Sequence, residues 1–190
     1  METTNKNHVV LLHGLAGSPN YIWLPWLRAE LEKAGAEVWA PSLPSPLAPK
    51  LDVWLDATRD AAATWGPDTV IVGHSLGGVL ALRLIEHVCP RPIRGVVLVS
   101  SPFSSIARFD WLVTFFDEPI DWAKLRSMAS SFTVLNARND IVVPFDHSLR
   151  YSEQLGARLV LEEKGSHFVG RKAPVVLAEA ERMMGRSKSG

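Results

Sequence analysis

The chain has 190 residues, of which 47% are hydrophobic, and its 20 basic and 20 acidic residues give a formal net charge of zero. This length and apolar content are typical of one compact domain, and we expect a single domain over residues 1–190. The balanced charge argues against a nucleic-acid-binding protein, and the absence of any run of about 18 apolar residues argues against a membrane span.

The N-terminal stretch, residues 1–7, is polar and leads directly into an apolar run at residues 8–12. It lacks the apolar segment of a secretory signal peptide, so we expect a cytoplasmic protein. The run itself predicts the first strand, and the loop that follows it begins His13-Gly14-Leu15.

Apolar strand-like runs alternate with helix-like segments along the whole chain, which indicates a mostly parallel sheet with helices on both faces. We predict six strands, near residues 8–12, 37–40, 69–73, 95–100, 132–136 and 158–162. We predict helices near residues 23–33, 51–65, 78–85, 121–129, 146–155 and 174–184. Right-handed crossovers then give a three-layer α/β/α sandwich with the strand order 2-1-3-4-5-6.

The third predicted strand runs into Gly73-His74-Ser75-Leu76-Gly77, a G-x-S-x-G pentapeptide that a helix-like segment follows. This pattern is typical of a nucleophile elbow, a strained strand-to-helix turn that projects a serine hydroxyl into a crevice. The two glycines leave room for neighbouring elements to approach closely. Ser75 is therefore the predicted nucleophile.

The segment between the fourth and fifth strands, residues 101–121, is dense in aromatic side chains. These are Phe103, Phe109, Trp111, Phe115 and Phe116. About twenty residues are enough for a flap or a short helix, but we expect no separate cap domain. The rings either pack on the sheet or line a cleft with Trp23 or Trp26 of the first loop. For the second case, the candidate substrate-binding residues are Trp26, Phe103 and Trp111.

The last two strands each run into a loop that carries a candidate partner of the serine. Asp140 follows the fifth strand and His167 follows the sixth. A serine hydroxyl is a poor nucleophile alone, so we expect His167 to take its proton and Asp140 to orient the imidazole. All three residues then lie at the carboxyl edge of the sheet, where open parallel sheets bind ligands.

Other acidic residues compete with Asp140 for the role of the orienting acid. Asp117 and Glu118 lie before the fifth strand, where a cap would sit in larger relatives, and Asp146 is placed to cap a helix. Asp140 is preferred because it alone directly follows a predicted strand.

The tetrahedral intermediate of serine chemistry needs two backbone N–H donors for its oxyanion. We predict Leu76, at the N-terminus of the helix after the nucleophile, and Leu15, in the loop after the first strand. Nothing in this chemistry requires a metal or a cofactor, and we expect neither.

The remaining histidines and the single cysteine have structural interpretations. We expect His13 and His74 to support the site from beneath. We expect His8, His87 and His147 to contact water, and Cys89 to be buried or half-buried.

The motifs together resemble those of small lidless α/β-hydrolases: the H-G loop, the G-H-S-L-G-G elbow, the N-D-I-V-V-P acid loop and the G-S-H-F histidine loop. The chain is closer still to the retinoblastoma-binding-protein-9-like serine hydrolases. The shared segments are I-W-L-P-W-L at 22–27, P-S-L-P-S-P at 41–46, V-W-L at 53–55 and E-P-I-D-W-A-K-L at 118–125. The resemblance covers nearly the whole chain and implies a minimal α/β-hydrolase fold. It also implies a triad of Ser75, Asp140 and His167.

The expected activity is hydrolysis of carboxylic esters with small to medium acyl chains through an acyl-enzyme intermediate. A thioesterase or a peptidase would use the same triad. A further alternative is a protein-interaction module, because the namesake of the family is described through a protein partner, but the L-x-C-x-E-like motif of that interaction does not occur here. We expect a small-molecule ester or acyl substrate and a monomer or small homo-oligomer.

Overall fold

The computed structural model describes residues 7–185, so the polar ends, residues 1–6 and 186–190, lie outside the described part of the chain. The strands are β1 (His8–Leu12), β2 (Glu37–Trp39), β3 (Thr69–His74), β4 (Gly95–Val99), β5 (Phe132–Ala137) and β6 (Arg158–Glu162). The α-helices are α1 (Leu24–Lys33), α2 (Leu51–Ala62), α3 (Leu76–His87), α4 (Trp122–Met128), α5 (Asp146–Leu155) and α6 (Pro174–Met183). A 3₁₀ segment (Ala107–Phe115) lies between β4 and α4.

The six strands form one sheet in the order β2-β1-β3-β4-β5-β6, and every neighbouring pair is parallel. This confirms the predicted sheet. Because all strands run in the same direction, their carboxyl ends and the loops that follow them meet at one edge.

Both faces of the sheet are buried, since alternate residues of each strand point to opposite sides. Val10 and Leu12 of β1 belong to the core on one face, with α2, α3, α4 and α5. Val9 and Leu11 belong to the core on the other face, with α1 and α6. Near-continuous apolar strands of this kind are typical of parallel sheets covered on both sides, and they produce the three-layer sandwich.

The helix ends follow local sequence signals. Pro174 begins α6, and Gly156 ends α5 in the left-handed conformation at φ 62°. The α2 helix ends at Ala62, earlier than the predicted 65, because residues 63–65 form a turn that buries Trp65 in the core. Within residues 7–185, every helix is too short or too polar to cross a bilayer.

A buried ion pair within α3 fixes the turn that follows the 3₁₀ segment. The Arg83 guanidinium lies 2.9 Å from the Glu86 carboxylate and also donates to the backbone carbonyl oxygens of Glu118 and Pro119. Glu86 in turn accepts a hydrogen bond from the Asp121 N–H at 2.7 Å. The carboxyl end of the 3₁₀ segment is therefore attached to the most buried helix of the molecule.

Candidate active site

Ser75 lies in a sharp turn between β3 and α3, with φ 52° and ψ −124°. This is a left-handed conformation that non-glycine residues rarely adopt, and its N–H is held by a 2.9 Å bond to the Val99 carbonyl oxygen. A Cβ at Gly73 would lie 2.5 Å from Gly78 Cα, and one at Gly77 would collide with the Leu12 carbonyl oxygen. The turn therefore has the strain and the close approach that the sequence predicts.

The structure brings His167 and Asp140 together across the carboxyl edge of the sheet. His167 Nδ1 lies 3.0 Å from Asp140 Oδ2, and the N–H groups of Val142 and Val143 each donate to Asp140 Oδ1 at 2.9 Å. Burial alone would raise the pKa of the Asp140 carboxyl group, but hydrogen bonds and the charge interaction with His167 lower it overall. Asp140 is therefore a carboxylate at neutral pH and accepts the His167 Nδ1–H.

The competing acidic residues have other surroundings. Asp117 and Glu118 lie in an exposed turn, and Asp146 is exposed in the first turn of α5, one residue past the N-cap position. None of the three hydrogen-bonds to His167 within residues 7–185.

The backbone N–H groups of Leu15 and Leu76 are both without a hydrogen-bond partner within residues 7–185. Both residues line the same pocket as Ser75. The neighbouring N–H of Ala16 differs, because it donates to the Pro46 carbonyl oxygen at 2.7 Å. The Leu15 amide is therefore free to bind an oxyanion, whereas that of Ala16 is not.

His13 fixes the loop that contains Leu15. Its Nδ1–H donates to the Gly14 carbonyl oxygen at 3.0 Å, and its Nε2 accepts the Leu43 N–H at 3.0 Å. Burial lowers the pKa of His13, which keeps the ring neutral and lets it accept one hydrogen bond while it donates another. A Cβ at Gly14 would lie 2.7 Å from Ser75 Cβ, so the loop also packs directly on the nucleophile.

A mostly apolar pocket of about 200 Å³ opens beside Ser75 and His167. The 3₁₀ segment and its flanks contribute Ile106, Phe109, Leu112 and Phe116 to the wall. The loop that contains Asp140 contributes Val142 and Val143, and the remaining lining residues are Leu15, Ala16, Tyr21, His74, Leu76, Pro102 and Val169. The aromatic segment therefore does face the cleft, in part.

The three residues predicted to bind substrate lie elsewhere and are not among the lining residues of this pocket. Trp26 packs on the core beneath α1 and α6, on the opposite face of the sheet from the 3₁₀ segment. Phe103 stacks on Trp122 with ring centroids 5.1 Å apart. Trp111 is 48% exposed, because kinks at Phe109 and Leu112 interrupt the 3₁₀ segment.

The other predicted residues are placed as follows. His147 is buried, contrary to the expected contact with water, and its Nδ1 accepts the Phe103 N–H at 2.9 Å. Cys89 is half-buried as predicted, and burial raises the pKa of its thiol to about 12, far from that of a reactive thiolate. Within residues 7–185, no group of three or more His, Cys, Asp or Glu side chains could hold a metal ion.

Comparisons with known proteins identify the family and the fold of the chain. A family model described as serine hydrolase matches residues 9–173. The chain is 32% identical over 162 residues to YdeN of Bacillus subtilis, which covers 85% of both chains. It is 23% identical over 170 residues to the serine hydrolase RBBP9 of Rattus norvegicus, over 88% of this chain and 89% of the relative. The crystal structure of the B. subtilis ydeN gene product superposes with a TM-score of 0.91 at 28% identity, over 95% of this chain and all of that one.

Proposed function

This chain belongs to the serine hydrolase family, and we propose that it is a carboxylesterase that forms an acyl-enzyme at Ser75. The observation that carries the proposal is the 3.0 Å contact between His167 and the buried Asp140 carboxylate, beside an apolar pocket that Ser75 and His167 both line. We further propose that residues 1–190 form one α/β-hydrolase domain without a separate cap domain. The cytoplasmic location and the state of a monomer or small homo-oligomer remain predictions.

The reaction that these groups support has two halves. Ser75 Oγ attacks the carbonyl carbon of the ester while its proton passes to His167 Nε2, the ring nitrogen that Asp140 leaves free. The N–H groups of Leu15 and Leu76 stabilise the oxyanion, and collapse of the tetrahedral intermediate expels the alcohol with the proton from His167. A water molecule, activated by His167, then releases the acid and restores the Ser75 hydroxyl.

The pocket supports an uncharged acyl group of small to medium length. Its described lining contains no Lys, Arg, Asp or Glu side chain, so a charged acyl chain would lose its hydration without a partner. A volume of about 200 Å³ is below the roughly 300–1,000 Å³ of pockets that hold drug-sized ligands, which favours an acyl group of limited length. Thioesters of the same acyl chains would fit the same pocket and react with the same side chains. The ratio of kcat/KM for an ester and a thioester of the same acyl chain separates the two activities.

The protein-interaction alternative has less support from the site. The interaction of Asp140 with His167 and the two free N–H groups beside Ser75 have a purpose in acyl transfer. A surface that only binds a partner needs none of them.

The test is covalent labelling of the native protein and its Ser75→Ala variant with a fluorophosphonate probe. We expect labelling of the native protein alone and loss of about a millionfold in turnover in the variant, because alanine has no hydroxyl to form the acyl-enzyme and only substrate binding and the oxyanion donors still assist the reaction. A chain-length series of p-nitrophenyl esters then measures the acyl preference. Absence of labelling in correctly folded native protein would contradict the proposal and favour the interaction module.

A further inference from the structure

The loop that carries His167, residues 165–168, has an unusual backbone. The two residues that flank His167, Ser166 and Phe168, both have positive φ angles, 49° and 52°. Non-glycine residues persist in this conformation only where the surroundings hold them in it. The position of His167 therefore depends on contacts from outside its own loop.

Three side chains from three other parts of the sheet edge supply these contacts. The Asn139 Oδ1 atom accepts the Gly165 N–H at 3.0 Å and the Ser166 N–H at 2.9 Å. His74 Nε2 lies 2.9 Å from the His167 carbonyl oxygen and donates to it, and Trp23 Nε1 donates to the Phe168 carbonyl oxygen at 2.8 Å.

His74 is a buried anchor in contact with both Trp23 and His167. Its ring packs perpendicular to Trp23, with centroids 5.7 Å apart, and lies 4.9 Å from the His167 ring. Burial, reinforced by the charge of His167, lowers the pKa of His74 to about 3. His74 is thus neutral at neutral pH, which leaves its Nε2–H to donate and avoids a second positive charge beside the imidazolium that forms on His167.

The places of two anchors in the sequence connect the histidine loop to the rest of the site. His74 immediately precedes Ser75, and Asn139 immediately precedes Asp140. We propose, on the basis of the proposed function, that His74 and Asn139 are positioning residues that fix His167 relative to the nucleophile and the acid. His74 ties the histidine loop to the neighbour of Ser75 along the chain, and Asn139 ties it to the neighbour of Asp140.

A matched pair of variants tests the His74 anchor. His74→Gln keeps an N–H donor near the Nε2 position, whereas His74→Met has a similar length and lacks the donor. We expect His74→Met to lower kcat and the rate of fluorophosphonate labelling by about 10- to 100-fold, since a misplacement of about 1 Å costs this much. We expect KM to change by less than about twofold, and His74→Gln to recover most of the rate.

Asn139 offers a second pair that does not disturb the core, because its side chain is exposed. Asn139→Asp keeps an acceptor for the two loop N–H groups, and Asn139→Ala removes it. The same order of rates is expected, with Asn139→Asp above Asn139→Ala. This pair keeps the test decisive if His74→Met fails to fold.

A stability control and a spectroscopic readout separate positioning from simple destabilisation. Leu31→Ala, near the end of α1 far from the sheet edge that carries the site, destabilises the core and should leave kcat unchanged at a temperature where it is folded. In ¹⁵N-histidine-labelled protein, the proton between His167 Nδ1 and Asp140 should be observed in the native protein and in His74→Gln and lost to exchange in His74→Met. Native turnover and an intact proton signal in both His74→Met and Asn139→Ala would overturn the positioning role. Failure of the native protein to react with the fluorophosphonate probe would instead overturn the proposed function.

Discussion

Among individual residues of the site, Asp140 has the most constrained charged group. Two N–H groups hold Oδ1 and the His167 ring holds Oδ2, so both oxygens have fixed partners. The carboxylate therefore selects the tautomer of His167 that carries its proton on Nδ1.

Replacing this carboxylate by an amide tests that role. Asp140→Asn keeps the shape of the side chain, but an amide N–H facing Nδ1 favours the wrong tautomer of His167. We expect kcat to fall by about 10⁴-fold, less than the loss for Ser75→Ala, in steady-state assays on the preferred ester.

Glu163→Gln is the matched control, because this exposed acid pairs with Arg138 and has no contact with His167 within residues 7–185. It should keep native turnover. A fully active Asp140→Asn enzyme would assign the orienting role to another acid.

The 3₁₀ segment is the element that shapes the pocket beside Ser75. Phe109 and Leu112 project from it into the pocket, while Val113 in the same element is 52% exposed. The attachment of the following turn to Arg83 and Glu86 holds the wall in place.

Truncation of one wall residue should change the chain-length preference without changing the chemistry. Phe109→Ala enlarges the pocket at a half-buried position, so we expect the preferred p-nitrophenyl ester to become longer by several carbons. The Val113→Ala control should keep the native preference. An unchanged preference in Phe109→Ala would place the acyl chain outside this pocket.

The same element shows where prediction from the sequence ends. The strands and α-helices were predictable because apolar periodicity, Pro174 and the G-x-S-x-G motif are local signals. The 3₁₀ segment has two kinks, so no period tells which of its aromatic rings faces inward. Phe109 and Trp111 could not be distinguished from the sequence: Phe109 lines the pocket beside Ser75, whereas Trp111 does not.

Contacts between distant parts of the chain were also beyond the sequence. Asp140 and His167 could be paired because each follows a predicted strand of a parallel sheet. The bond from His74 to the His167 carbonyl oxygen joins residues 93 positions apart and depends on backbone angles that no motif encodes. His147 was wrongly expected to contact water for the same reason, since its partner is the Phe103 N–H.

At the scale of the whole molecule, three buried histidines affect how stability depends on pH. His13, His74 and His147 are all buried; His13 and His74 lie at the carboxyl ends of β1 and β3, and His147 lies in the first turn of α5. Burial is the main cause of a lowered pKa in all three, and the pKa of His74 falls to about 3.

These lowered pKa values predict acid sensitivity of the fold. A histidine in the unfolded chain has a pKa of about 6.5. Below that pH the unfolded chain therefore binds protons that these histidines do not bind in the native protein. The native protein therefore keeps its full stability with respect to these histidines above about pH 6.5. It loses stability as the pH falls from there toward the lowered pKa of each histidine. Each such histidine can lower the free energy of unfolding by up to about 1.4 kcal/mol per pH unit within its window.

Urea denaturation from pH 8 to pH 5 measures this effect. The free energy of unfolding should fall steadily below about pH 6.5, before the lowered carboxyl pKa values of Asp140 and Glu179 add their own loss at lower pH. His74→Gln, which cannot take up a proton, should show a shallower slope than the native protein by up to about 1.4 kcal/mol per pH unit. A free energy of unfolding that stays constant down to pH 5 would mean that the native protein accommodates these histidines in charged form.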